Sequence, residues 1–157
     1  MDLLCNDFLT VTWYPGQSAP TESGGVVLTD ASAGTDFFDA TRPWRAGHAQ
    51  LVQSARYVRG AQARQFVRGQ NAGAFDWVLY RKQADPRDAL VAGLTHVLAL
   101  SDQTGWLQLT IDGETTEYSI DQVAMESAEA EPLADGSGLI QLTWRFRGGA
   151  WDTITPP

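Results

Sequence analysis

At 157 residues, with 43% hydrophobic and 19% charged side chains, the chain suits a single domain over 1–157 with its own core, and its composition excludes a disordered or fibrous class. No apolar run approaches the roughly 20 residues that span a bilayer, so a soluble chain with no membrane partner is expected. One cysteine excludes an internal disulfide, and with only two histidines it cannot build a Cys/His zinc cage.

The net charge of −8 is unevenly placed: residues 1–41 carry six acids and no base, 42–87 carry nine bases against Asp76 and Asp85, and 88–157 carry eleven acids against Arg145 and Arg147. All the bases but Lys82 are arginine, the residue best suited to forked carboxylate pairs at partly dry contacts. Two readings stand side by side: solvated strand edges, or a basic face that meets an acidic face on a neighbouring copy.

Along the chain, Met1–Thr10 has Asp2 where an export signal needs positive charge, and the apolar stretch before Cys5 is too short for one. Phe8 to Tyr14 alternates Leu9, Val11 and Trp13 with threonines, the period of a half-buried strand that Pro15-Gly16 stops. A short apolar run, Val26 to Leu28, precedes an aperiodic stretch read as a long loop over about 29–48. Its Phe37, Phe38 and Trp44 are too apolar for a mere linker, so part of it is expected to pack.

Gln50–Val58, Arg64–Arg68 and Ala74–Arg81 read as three strands, the last with Phe75, Trp77 and Leu79 on one face. A helix follows, with Asp85 as N-cap, Pro86 in the first helical position and Asp88 at the positive helix start. Leu90, Leu94 and Leu98 with Val91 and Val97 form a broad apolar face, expected to be the buried one. Trp106–Ile111 alternates again, Asp112-Gly113 signals a two-residue hairpin, and the chain returns through Thr115–Ile120. Another strand passes through Val123 and Met125, a turn spans Asp135–Gly138, and Leu139–Arg147 puts Ile140, Leu142, Trp144 and Phe146 on one face before Gly148-Gly149 closes it. The order predicts a mainly β fold with one α-helix: an antiparallel sandwich or barrel capped by that helix.

No catalytic constellation stands out, and an enzyme is not expected. His48 falls in the loop and His96 among helix leucines, with no nucleophile elbow. The spacing Asp30, Ser32, Gly34, Asp36 lacks the rest of a calcium loop. Gly60 and Gly69 follow arginines in strand-like segments, not in a phosphate cradle. No cofactor or metal is expected. Of the six tryptophans, Trp13, Trp77 and Trp144 fall on core faces, whereas Trp44, Trp106 and Trp151 are left as candidate exposed platforms. Those platforms keep a second reading open, a carbohydrate-binding β-sandwich.

Several segments carry a family pattern: Arg68-Gly69-Gln70-Asn71 leading into the Phe75–Tyr80 strand, a helix with Ala89 and His96, and Gly105-Trp106-Leu107 opening a hairpin. Tyr118, the Val123 strand, Gly138 and the closing Trp144-Arg145-Phe146-Arg147-Gly148-Gly149 continue it. Over Arg68–Gly149 the chain resembles tail-tube-fold proteins of long-tailed bacteriophages, a group of tube subunits, distal tail proteins and tail-tip hub domains. The resemblance implies two packed antiparallel sheets with a flanking helix and a structural, non-catalytic role in the virion tail, the chain being made in the host cytoplasm. It further implies a homo-oligomeric ring, of six copies or of three, that contacts other tail proteins and surrounds a channel through which DNA passes without specific binding. On that reading Arg56, Arg59, Arg64, Arg68, Phe37, Phe38 and Trp44 face the next subunit. Glu114, Glu117, Glu126 and Glu129 face the channel or a partner.

Overall fold

The computed structural model describes residues 9–17, 24–28, 36–37, 44–49, 52–55, 64–67, 72–83, 85–134 and 138–154. Its strands are β1 (Leu9–Pro15), β2 (Val26–Val27), β3 (Asp36–Phe37), β4 (Trp44–Ala49), β5 (Val52–Ala55), β6 (Arg64–Val67) and β7 (Ala72–Lys82). After helix α1 (Pro86–Leu98) come β8 (Thr104–Ile111), β9 (Glu117–Pro132), β10 (Leu139–Arg147) and β11 (Ala150–Ile154). Nine strands form one antiparallel sheet in the order β2-β1-β8-β9-β10-β7-β3, with β11 added on β9 and β4 on β7. The path does not close on itself. The fold class is as expected, mainly antiparallel β with one helix, in the open rather than the barrel form.

Period-two alternation does most of the building. β1 buries Leu9, Val11 and Trp13, β7 buries Phe75, Trp77 and Leu79, and β10 buries Ile140, Leu142, Trp144 and Phe146. These side chains form one continuous core with Leu107, Leu109, Ile120 and Val123. Phe75, Trp77 and Leu79 stand directly opposite Phe146, Trp144 and Leu142. Each buried side chain of this size contributes about 1.5–3 kcal/mol, several times the 0.2–1 kcal/mol of a cross-strand pair as such, so burial sets the register.

Four expectations change. The stretch read as a loop over 29–48 contains strands β3 and β4, which pair with β7; pairing on a long ready-made edge organises residues that show no period of their own. Asp112-Gly113 does turn the chain, with Glu114 N–H donating to the Ile111 carbonyl at 3.1 Å, but only Gly113 takes a positive φ, of 83°. That is a type II turn, not the twist-matched I′ form, and the ladder resumes only at Leu109 opposite Tyr118. The two strands expected at 115–120 and around Val123 are one sixteen-residue strand, β9. A further strand, β11, follows the Gly148-Gly149 break, although Trp151-Asp152-Thr153-Ile154 offers only four residues of alternation.

Gly149 is where the chain steps from β10 to β11 along the same side of β9. It has φ +73°, and a Cβ there would overlap the Asp121 carbonyl oxygen. At Gly113, φ is +83° but open space surrounds the missing Cβ. Gly149→Ala therefore combines backbone strain with a backbone clash and should cost about 2 kcal/mol or more, against about 1 kcal/mol for Gly113→Ala. Urea unfolding of the two variants checks the order.

Candidate functional site

Two surfaces organise the polar and exposed apolar groups: the solvent face of β9, β10 and β7, and the side of α1. On the sheet face, Arg45 of β4 and Arg145 of β10 both stand opposite Asp76 of β7. The Arg147 guanidinium donates to Asp76 and lies 3.6 Å from Glu126, while Arg145 reaches Glu129 at 3.1 Å. The result is a ladder of alternating sign across three strands. Glu126 and Glu129, read from sequence as channel- or partner-facing acids, are thus exposed but held by arginines of their own chain. Glu117 accepts from Gln108 beside the β8–β9 turn that carries Glu114, about 30 Å of strand away from Glu126. The four acids form two separate sites.

Of the basic and aromatic residues expected to meet a neighbour, Arg56, Arg59, Arg68 and Phe38 lie outside the described residues. Arg64 opens β6 and Phe37 ends β3. Trp44 begins β4 opposite Trp77 and is 51% exposed. Of the three candidate aromatic platforms, Trp44 alone is open. Trp106 is buried, and Trp151 is half-buried, edge-on to Phe75 at 6.3 Å, with its indole N–H donating to the Gly47 carbonyl at 2.8 Å. That removes the tryptophan row on which a sugar-binding reading rests.

The helix departs most from expectation. It begins as predicted, Asp85 accepting from Arg87 N–H at 2.8 Å with Pro86 in the first turn. It then docks on β9 and β10 with Gly93 and His96 buried and Ala89 and Ala92 half-buried, a stripe at i, i+3, i+4 and i+7. Leu90, Val91, Leu94, Val97 and Leu98 remain exposed. The small side chains decide this. A Cβ on Gly93 would sit 3.2 Å from both Ala130 Cβ and Ile140 Cδ1, so only the glycine side lets the helix approach that closely. The signal was present in sequence as Ala89-Ala92-Gly93-His96, but a leucine stripe outweighs it in any count of hydrophobicity. Between the turned-out leucines and the ends of β9 and β10 runs an apolar groove of about 690 Å³.

His96 anchors the docked side. Its ring meets Trp144 edge-on at 4.4 Å, and Nε2–H donates to the Thr143 carbonyl at 3.3 Å. Desolvation lowers its pKa from 6.5; the Thr143 carbonyl opposes that shift, the Arg81 cation adds to it, and the Glu129 backbone opposes it. Protonation is therefore disfavoured in the folded chain, so the unfolded chain binds the extra proton. The site's stabilisation is complete above pH 6.5 and declines as pH falls below it, by at most about 1.4 kcal/mol per pH unit. His96→Gln should flatten the dependence of the unfolding midpoint on pH between about pH 7 and 5; equal slopes in the two proteins would contradict this.

No protein-family model matches the sequence, and no curated protein matches it. Solved structures do. A chain of the anti-feeding prophage baseplate, determined by cryo-EM with six-fold symmetrisation, superposes with a TM-score of 0.52 at 13% identity, over 94% of this chain and 92% of that one. A chain of the sheath–tube complex of the extracellular contractile injection system PVC, in its extended state, gives a TM-score of 0.50 at 7% identity, over 98% and 92%. An open antiparallel sheet with one flanking helix, matched over nearly its whole length by these chains, gives the protein the tail-tube type of fold.

Proposed function

We propose that the chain is a structural subunit of a tail-like particle, building a ring of its tube, cap or baseplate, with no catalytic role. The observation that carries this reading is the β5–β6 ribbon. It lies between β4 and β7 in sequence and forms a sheet of its own, with Val52 opposite Val67 and Ala55 opposite Arg64, yet makes no extensive contact with any other described element. A lone two-stranded ribbon is marginal in water, so an arm of this kind calls for a second surface. Among the described residues the sheet also has edges at β2 and at β3 and β4, and open edges are where strands of a neighbour add. Likeness of fold to chains of a six-fold baseplate and of a sheath–tube complex supports the same reading.

In its finer form the proposal is a head-to-tail ring of six copies, or of three, in a phage virion. The ring contacts other tail proteins, and DNA traverses its channel. A lumen lined by carboxylates such as Glu114 and Glu117 would repel phosphates and offer them no cation contacts. Glu126 and Glu129 suit the lumen less, because Arg147 and Arg145 already offset them.

The arginines of the arm should matter to assembly and not to folding. With Arg64→Glu and Arg68→Glu together, the thermal midpoint should hold while the assembled species gives way to protomer in analytical ultracentrifugation. A wild-type chain that stays monomeric at every concentration, with no rings in electron micrographs, would refute the subunit reading. A stable contact should bury about 1,000 Å² or more in total.

A further inference from the structure

We propose that α1 is an acid-released latch, a helix that opens as a unit from a sheet that stays folded, with His96 as the residue that senses the acid. The helix is held by a thin seam. Of its thirteen residues only Gly93 and His96 are buried, Ala89 and Ala92 are half-buried, and the others are exposed. Since glycine has no side chain, His96 is the one buried side chain of the helix. The continuous core is built from β1, β7, β8, β9 and β10 with Leu28, and it takes no residue from α1. Opening the helix therefore leaves the cross-strand contacts of the core in place, and elements with few buried contacts are the ones that open locally.

The surroundings of His96 favour its neutral form. Its ring lies edge-on to Trp144 at 4.4 Å, and Nε2–H donates to the Thr143 carbonyl at 3.3 Å. From β7 the charged neighbour is the Arg81 cation, opposite Ile140. β9 turns Ala130 to the helix and carries Glu129 on its other face, where Arg145 holds it at 3.1 Å. β10 offers Ile140 and Trp144, neither of them charged. On α1 itself, Arg87 and Asp88 stand in the first turn, about 12 Å or more along the axis. Among the described residues no carboxylate is thus placed to receive an imidazolium. Burial disfavours the charged ring and Arg81 adds to that, while the Thr143 and Glu129 backbones oppose it without reversing the balance. Docking is fully favoured above pH 6.5, and the opening constant rises below it by no more than about tenfold per pH unit, because the released helix binds the proton.

A helix of thirteen residues is marginal on its own in water, so the released segment does not keep its amides protected. Opening uncovers Ala130, Ile140 and Trp144, which Gly93 and His96 cover in the docked form. Acid thereby exposes an apolar strip on β9 and β10 without unfolding the sheet, and it does so whether or not copies assemble. Gly93 supplies a second handle on the seam. A Cβ there would sit 3.2 Å from both Ala130 Cβ and Ile140 Cδ1, so Gly93→Ala loosens the docking at every pH and leaves the ionising group alone.

Hydrogen exchange of the full chain, read peptide by peptide by mass spectrometry and corrected for the intrinsic rate at each pH, tests this. At pH 7 the amides of 89–98 should be at least about tenfold less protected than those of β7 and β10, and low urea should change them little while it steeply lowers protection in the strands. Between about pH 7 and 5 the helix protection should fall about threefold or more, with a ceiling near 25-fold. His96→Gln keeps a carboxamide N–H for the Thr143 carbonyl but does not ionise, and should remove that pH dependence. Gly93→Ala should lower helix protection by a similar factor at both pH values and keep the slope. If His96→Gln folds poorly, the wild type and Gly93→Ala still decide. Equal protection and equal urea dependence in helix and strands would overturn the inference, since α1 then opens only with the whole chain. Helix protection that is constant with pH in the wild type, or a slope that survives His96→Gln, would overturn it as well.

Discussion

The pairing of β7 with β10 is the constraint on which the rest of the structure depends. Both strands alternate with period two, and the register sets Phe75, Trp77 and Leu79 against Phe146, Trp144 and Leu142 on the core side. The same register sets Asp76 against Arg145 on the solvent side. A slip of one residue would bring a carboxylate and a guanidinium into the core and turn aromatic rings to water. Burial of six large side chains is thus coupled to the placement of the charge ladder, and β4, β9 and the helix all add to surfaces which that register creates.

The helix shows how close packing can override amphipathicity. Its leucine-rich side would bury more apolar surface, but leucines would hold the helix axis away from β9 and β10. The Ala-Gly-His side brings it near enough for Gly93 to meet Ala130 and Ile140 and for His96 to reach Thr143. What is lost in buried leucine is a cost to the chain. Among the described residues, Leu90, Val91, Leu94, Val97 and Leu98 are the large apolar side chains this docking leaves exposed on the helix.

Charge is divided unevenly along the chain. Arg145 and Arg147, the two bases of the acidic C-terminal half, are engaged by Glu129, Asp76 and Glu126. The bases of the arm belong to a stretch of sequence without any acid between Val52 and Val67.

Strand identity and facing were legible in the sequence wherever alternation ran for five residues or more, as in Leu9–Trp13, Phe75–Leu79 and Ile140–Phe146. The helix start was legible because Asp85 and Pro86 act on the backbone within one turn. Period and capping are local, so the sequence by itself determined them, along with the uneven charge. Tertiary structure decided what depends on partners far along the chain: the ordering of β3 and β4 by the edge of β7, the merging of two expected strands into β9, and the burial of Trp106. It also decided which side of α1 faces the sheet, and with it the groove. Hydrophobicity along a helix ranks its faces by transfer free energy alone, whereas docking adds the distance at which backbones can approach, and that distance was set by Ala130 and Ile140, more than thirty residues away.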